Sequence, residues 1–453
     1  MSMPPMKYAD NNGVFIAYRT FGEGDDVVSA PAATLTMDIM WPYVQRIAET
    51  NRVTWYDKRG TGASDGAGNF SFEERVDDIR AVMDAAGIER AHLYGASEGG
   101  PQSIIFAATY PERVKSLTLY GTFPSWMKRR DYLHGWDMTV SEYSRWVDRV
   151  VASSAGDRDA MAWFWDMWAP TLAATPGFFD LGASLPVATS PGAARLIWEA
   201  MYEADVRALL PSIQVPTTVV HVIGDRVAPV EGARYLATHI PGAKLVEIAG
   251  NDHFAVEIYP EILDAINEHV ARADGSERPR VDRRLMTVLF TDIVDSTPAA
   301  SRAGDRAWRE LLDRHDTLAR RLVTTHGGRH VKSTGDGLVA TFEGPSGAVH
   351  CASSLHSHMA ELGLPIRAGV HVGEIEIRSD GDIAGIGVHI AARIAGLATA
   401  SQTIVSRTVK DLVVGSELRF DDFGEHRLKG VDDPWQCFRV LDGILSAAAQ
   451  ETA

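Results

Sequence analysis

The chain has 453 residues, a formal net charge of −16 and two cysteines, with 45% of its residues hydrophobic and 23% charged. A length of that order accommodates roughly two to four domains, each able to bury its own core, and the composition excludes disorder over most of the chain. It also excludes a disulfide framework, because Cys351 and Cys437 allow one bridge at most, and an electrostatic footprint for nucleic acid, whose affinity comes largely from Lys and Arg neutralising phosphates.

Met1 to Asp10 lacks a basic region followed by an apolar stretch, and no run of about 18 apolar residues occurs, so a cytoplasmic protein without a membrane span is expected. The charge is uneven: −13 over residues 1–270 and −3 over residues 271–453. A polyphosphate bound to such a chain needs metal ions to supply much of the positive charge.

In chain order, Val53 to Tyr56, Ala91 to Tyr94, Ser116 to Tyr120, Thr217 to Ile223 and Lys244 to Ile248 are strand-like, and Glu73 to Ala86 and Gly99 to Tyr110 are helix-like. This alternation predicts an α/β domain over residues 1–270 with a parallel sheet covered on both faces. A helix-rich insertion over about 122–210 holds seven of the eleven tryptophans, Trp126, Trp136, Trp146, Trp163, Trp165, Trp168 and Trp198. Ala271 to Arg284 is charged and carries Gly275 and Pro279, as an exposed linker does. Beyond it, Leu285 to Thr291 reads as a buried strand. A helix from about Ala303 to Thr325 follows, with Trp308, Leu311, Leu312, His315, Leu318 and Leu322 on one buried face. Gly335-Asp336-Gly337 marks a tight hairpin, and further mixed segments complete an α+β domain over 285–441, before a flexible tail over 442–453.

Gly95-Ala96-Ser97-Glu98-Gly99-Gly100 follows a strand and opens a helix, the setting in which small residues allow a sharp turn that presents a serine hydroxyl. Such a serine needs a base, and the base an orienting carboxylate. Asp225, in the segment His221 to Pro229, and His253, after Gly250-Asn251-Asp252, each lie just past a strand and complete the order Ser97, Asp225, His253. On these residues the first part resembles an α/β-hydrolase, with the Trp-rich insertion as its cap and Asp57-Lys58-Arg59-Gly60 as a matching turn. The resemblance implies either a serine esterase or a hydrolase fold kept as a sensor, and the tryptophans suggest a pocket for an apolar small molecule. One departure stands out: the family's His-Gly, which helps build the oxyanion hole, is replaced around Pro31-Ala32-Ala33-Thr34.

Leu289-Phe290-Thr291-Asp292-Ile293-Val294-Asp295-Ser296-Thr297 puts a carboxylate at the end of a buried strand before a helix, whose first N–H groups can hold phosphate oxygens. Asp336 sits at the tip of the hairpin. If the two strands are neighbours, Asp292 and Asp336 meet at one sheet edge as in a two-metal phosphoryl-transfer site. Asp295 reads as a helix cap, and the Cys351, His356, His358 cluster reads as helix faces rather than as a metal site.

The second part resembles a class III nucleotidyl cyclase catalytic domain, with a ferredoxin-like βαββαβ core, and the whole chain resembles mycobacterial-type adenylate cyclases with a hydrolase-like N-terminal domain. The resemblance implies that Asp292 and Asp336 bind two Mg²⁺ or Mn²⁺ ions, one activating the ribose 3′-hydroxyl of ATP and the other steadying pyrophosphate. It implies that Lys332 and Asp382 read adenine, that Ile293 and Thr297 line the phosphate turn, that Arg393 stabilises the transition state and that Lys429 contacts the terminal phosphates. His389 replaces the family's asparagine one helical turn before Arg393. The family further implies a head-to-tail homodimer, in which Asp292 and Asp336 of one chain face Lys332, Asp382, His389 and Arg393 of the other, in a signalling enzyme that makes 3′,5′-cyclic AMP.

Overall fold

The computed structural model describes residues 3–32, 35–66, 70–175, 189–254, 259–273, 283–333, 335–377, 382–431 and 434–441. It divides into two compact units, Met1–Pro279 and Arg280–Ala453.

The first unit is built on an eight-stranded sheet. In chain order its elements are β1 (Lys7–Asn11), β2 (Val14–Phe21), β3 (Asp25–Ala30), α1 (Met37–Ile47), β4 (Asn51–Tyr56), α2 (Phe72–Ala85), β5 (Ala91–Ala96), α3 (Gly99–Thr109), β6 (Val114–Tyr120), α4 (Val140–Ser154), α5 (Arg158–Trp168), α6 (Pro170–Ala173), α7 (Pro191–Glu203), β7 (Thr217–Val222), α8 (Val230–His239), β8 (Lys244–Ile248) and α9 (Pro260–Ala273). The strand order is β1-β2-β4-β3-β5-β6-β7-β8. The pairings from β4 to β8 are parallel, while β1, β2 and β4 run antiparallel. Strands β5 and β7 are buried along their whole length, as parallel strands covered on both faces must be. Helices α4 to α7 occupy the insertion between β6 and β7.

The second unit holds β9 (Arg283–Ile293), α10 (Ser296–Ala303), α11 (Asp305–Thr325), β10 (Arg329–Ser333), β11 (Gly337–Phe342), α12 (Pro345–Glu361), β12 (Ile366–Ile377), β13 (Ile383–Ala384), α13 (Ile386–Ala395), β14 (Thr403–Ser406), α14 (Arg407–Leu412), β15 (Arg419–Arg427) and β16 (Pro434–Leu441). Its sheet order is β10-β11-β9-β12-β14-β16-β15, with β13 on β12. The antiparallel run β10-β11-β9-β12, with helices after β9 and β11, is the expected ferredoxin-like core.

The helix expected from about Ala303 to Thr325 is α11, which starts after Gly304 at φ 78°, and a separate short helix, α10, precedes it. Two local expectations change. Trp308, Leu311 and Leu312 are only partly buried, and the buried face is carried by His315, Ala319, Leu322 and Val323. The expected linker is shorter than Ala271 to Arg284, since α9 runs to Ala273 and β9 starts at Arg283. Residues 274–282 and the expected tail 442–453 lie outside the described residues.

Candidate functional site

Ser97 stands between the end of β5 and the start of α3 in the left-handed region, at φ 50°, and its N–H donates to the Tyr120 carbonyl at 2.8 Å. A β-carbon on Gly99 would collide with the backbone of Ala30, so only glycine lets α3 start this close to β3. The Ser97 hydroxyl lies 2.8 Å from His253 Nε2, and His253 Nδ1 lies 2.6 Å from Asp225 Oδ2. Asp225 Oδ1 accepts from the N–H groups of Val227 and Ala228 at 2.8 and 3.0 Å, which fixes the carboxylate. The three residues predicted from chain order are therefore one buried hydrogen-bonded relay, with the hydroxyl donating to an imidazole whose other nitrogen donates to the carboxylate. His221 packs beside it with Nε2 3.7 Å from Asp225 Oδ2. Burial lowers its imidazole below the ordinary value, and Nε2–H donates to the Ala228 carbonyl at 2.7 Å.

The cap is tied to the loop that carries the base. The His253 N–H donates to the Trp168 carbonyl at 2.7 Å, and Asp252 accepts from the Thr171 N–H and hydroxyl at 2.7 and 2.6 Å. An apolar cleft lined by Leu35, Met40, Trp55, Tyr94, Tyr120 and Phe254 lies among the neighbours of Ser97 and His253. Of the segment where the family's His-Gly is replaced, Ala33 and Thr34 lie outside the described residues.

Sequence reasoning missed Glu98. Its carboxylate is fully buried, clamped by Lys58 and Arg75, and accepts from Gln102 Nε2 at 2.9 Å. Next to it Arg59 holds Asp78 at 2.7 Å through both Nε and Nη2. A glutamate inside an otherwise apolar strand-turn-helix segment was the available signal, but its cationic partners lie 40 and 23 residues away.

In the second unit Asp292 and Asp336 do meet at one edge. Asp292 pairs with Gly337 in register, and the Ile293 N–H donates to the Asp336 carbonyl at 2.8 Å. Both side chains are half-buried. Asp292 Oδ2 accepts from Arg367 Nε at 3.0 Å, and Asp336 Oδ2 accepts from the Ser296 hydroxyl at 2.6 Å. Arg367 was not singled out, although a charged residue near the start of the apolar strand Ile366-Arg367-Ala368-Gly369 is a visible anomaly. Asp295 does not cap with its side chain. It occupies the N-cap position of α10 in the left-handed region at φ 55°, without a side-chain cap bond. Ile293 is buried, and Thr297 is exposed in the first turn of α10.

Lys332 and Asp382 are brought together, with Nζ 2.7 and 2.8 Å from the two carboxylate oxygens. His389 and Arg393 are exposed one turn apart on α13, whose opposite face, with Ile390, Ala391 and Ile394, is buried. Lys429 is exposed in the turn between β15 and β16. The Cys351 cluster is structural: burial pushes the Cys351 thiol up to about 12, His356 bonds Thr403 Oγ1 at 2.9 Å, and His358 donates to the Ser354 carbonyl at 2.8 Å. Among the described residues no group of three or more His, Cys, Asp or Glu side chains is arranged for a metal. No helix among them is long and apolar enough to cross a membrane.

Residues 37–258 match the family profile described as alpha/beta hydrolase fold, and residues 281–441 match that of the adenylate and guanylate cyclase catalytic domain. The chain therefore carries an α/β-hydrolase-fold domain followed by a class III adenylate/guanylate cyclase domain. Over 163 residues it is 32% identical to a Rhizobium meliloti (strain 1021) protein named "Putative adenylate cyclase 3", a match covering 34% of this chain and 28% of that protein. Over 266 residues it is 26% identical to the "Putative carbamate hydrolase RutD" of Azorhizobium caulinodans, covering 57% of this chain and 96% of that one. An enol-lactonase structure from Burkholderia xenovorans LB400 is similar at a TM-score of 0.50 and 25% identity, over 58% of this chain and all of that one. The chain thus spans under a third of the cyclase relative but nearly all of the hydrolase relative.

Proposed function

We propose that the chain is an adenylate cyclase that converts ATP to 3′,5′-cyclic AMP and pyrophosphate, at sites shared between two copies. The observation that carries this reading is the meeting of Asp292, near the end of β9, with Asp336, in the turn that leads into the neighbouring β11. Both carboxylates keep Oδ1 outside the hydrogen bonds described, and Arg367 already holds a positive charge against Asp292, so the residues fit divalent cations of oxygen-ligand type. Mg²⁺ or Mn²⁺ held there would supply Lewis-acid polarisation and charge neutralisation for attack of the ribose 3′-oxygen on the α-phosphate.

The remaining roles belong to side chains. Lys332 donates to adenine N1 and Asp382 accepts from the 6-amino group, a pattern that guanine reverses. Arg393 meets the charge that develops as the bond from the α-phosphorus to the bridging oxygen breaks. His389 donates to the ribose or phosphate in place of an asparagine, and Lys429 neutralises the terminal phosphates. Exposure of His389 and Arg393 in a single chain supports a site completed by a second copy, with the two carboxylates of one chain facing these groups of the other. The test is product analysis of the purified full chain with Mn²⁺ and either ATP or GTP. Cyclic AMP formed from ATP and lost in Asp292→Ala supports the reading; no cyclic product, or equal turnover by the variant, ends it.

A second activity is favoured by the 2.8 and 2.6 Å relay through His253: serine hydrolysis of a small apolar ester beneath the cap. Fluorophosphonate labelling of the wild type but not of Ser97→Ala is the expected result, and an unlabelled wild type overturns it.

A further inference from the structure

His253, the base of the relay, sits on a loop whose anchors lie outside the triad. Its carbonyl accepts from the Tyr120 hydroxyl, at the end of β6, at 2.8 Å. Its N–H and that of Phe254 both donate to one carbonyl of the cap, Trp168, at 2.7 and 3.2 Å. The backbone of the base is therefore held between the sheet and the cap. The residue before it strengthens the same link. Asp252 is 0% exposed, and its carboxylate accepts from the Thr171 N–H at 2.7 Å, the Thr171 hydroxyl at 2.6 Å and the Tyr259 hydroxyl at 2.7 Å.

Every partner described for that carboxylate is uncharged. A buried carboxylate is costly unless hydrogen bonds replace its water, and here two of the three come from a single cap residue in the first turn of α6. If α6 lifts, Asp252 loses both bonds and must be resolvated. The Trp168 carbonyl lies just before α6 in the chain, so the same movement withdraws it from the His253 N–H. The imidazole tolerates little drift. Its two nitrogens are at hydrogen-bond contact with Ser97 and Asp225, at 2.8 and 2.6 Å, and a misplacement of about 1 Å in such a group costs on the order of a hundredfold in rate.

We propose that Asp252 and Thr171 are positioning residues that mount the base on the cap, so that the Ser97 relay is aligned only while α6 is seated. This rests on reading the first unit as a serine hydrolase. It adds to that reading the condition under which the nucleophile is active. The competing account makes Asp252 a cap for the first turn of α6, where Thr171 lies, with no bearing on His253.

The test compares the full wild-type chain with its Thr171→Val, Thr171→Ser and Asp252→Asn variants. Three quantities are measured: the second-order rate constant for fluorophosphonate labelling of Ser97, the low-field resonance of the His253 Nδ1 proton in ¹⁵N-histidine-labelled protein, and the melting temperature. Thr171→Val and Asp252→Asn are expected to stay folded, to label at least about fivefold more slowly, and to move the resonance upfield or broaden it. Thr171→Ser keeps the hydroxyl and should restore both the rate and the resonance. An unchanged rate and resonance in Thr171→Val and Asp252→Asn overturns the proposal in favour of a helix cap. Slower labelling that only follows the unfolded fraction, or that Thr171→Ser does not restore, overturns it as well. A wild type that is not labelled ends the hydrolase reading instead. The resonance, which needs no reaction at Ser97, then decides the mounting: a shift in Thr171→Val supports it and an unmoved signal overturns it.

Discussion

Arg367 stands directly opposite Asp292 in the pairing of β9 with β12, and its guanidinium closes on Oδ2 of that carboxylate. A cation that approaches Asp292 must compete with it, and once displaced the guanidinium remains at the same sheet edge as a ready partner for phosphate oxygens. Arg367→Ala is therefore expected to bind Mn²⁺ more tightly in the absence of nucleotide, by up to about fivefold for a part-exposed pair, while raising the KM for ATP. Electron paramagnetic resonance of free Mn²⁺ and steady-state kinetics measure the two effects separately. Weaker Mn²⁺ binding in the variant would mean that Arg367 orients Asp292 rather than competing for it.

The shared-site arrangement predicts complementation. Asp292→Ala and Arg393→Ala should each be inactive alone, because every site in either homodimer lacks one group. When the two variants are mixed in equal amounts and exchange freely, half of the dimers pair unlike chains, and each of those has one intact site. Recovery of roughly a quarter of wild-type cyclase activity is expected. Activity that stays at the level of the single variants after verified subunit exchange would place all the catalytic groups on one chain.

Lys332 and Asp382 offer a contrast between stability and selectivity. Their ion pair is short, but the side chains are 46% and 31% exposed, so its loss should change stability by no more than about 1 kcal/mol. Base recognition, in contrast, rests on both groups in the proposed mechanism. Lys332→Ala should unfold at nearly the wild-type temperature yet lose most of its preference for ATP over GTP, read as the ratio of kcat/KM values. An unchanged ratio removes the pair from base recognition.

The parts legible in the sequence share one property: their signal is local. Ser97, Asp225 and His253 each follow an apolar strand, and the hairpin around Asp336 is announced by its glycines, so element ends placed the chemistry. Relationships between distant segments did not show. Lys58, Arg75 and Glu98 form a buried cluster from three separate elements, and nothing near any one of them in sequence announces the other two. Asp295 was misread because a short acidic residue before a helix ordinarily caps it, whereas here the backbone turns through the left-handed region and takes the carboxylate away from the helix N–H groups. Strand β1, with Lys7, Asp10 and Asn11, and strand β3, opening on Asp25 and Asp26, lack a long continuous apolar run, whereas β2 carries one from Val14 to Tyr18 that sequence reasoning passed over.

His371 on β12 gives the cyclase unit an acid-sensitive point. Its imidazole is buried, Nδ1 lies 2.9 Å from the Ser406 hydroxyl, and the Trp435 ring meets it edge-on at 5.3 Å. Burial lowers its pKa to about 3, well below the value of about 6.5 expected in the unfolded chain. Between those values the unfolded chain holds a proton that the folded one does not, so stability is fully present above about pH 6.5 and falls as pH drops towards 3. By pH 5 this group alone removes about 2 kcal/mol. Hydrogen exchange of the β12 amides in the full chain, corrected for the intrinsic pH dependence, should show less protection at pH 5 than at pH 7. His371→Asn keeps a polar partner for Ser406 and cannot take up the proton, so that difference should shrink by about 2 kcal/mol in the variant. An undiminished difference would assign the acid sensitivity of this sheet to groups other than His371.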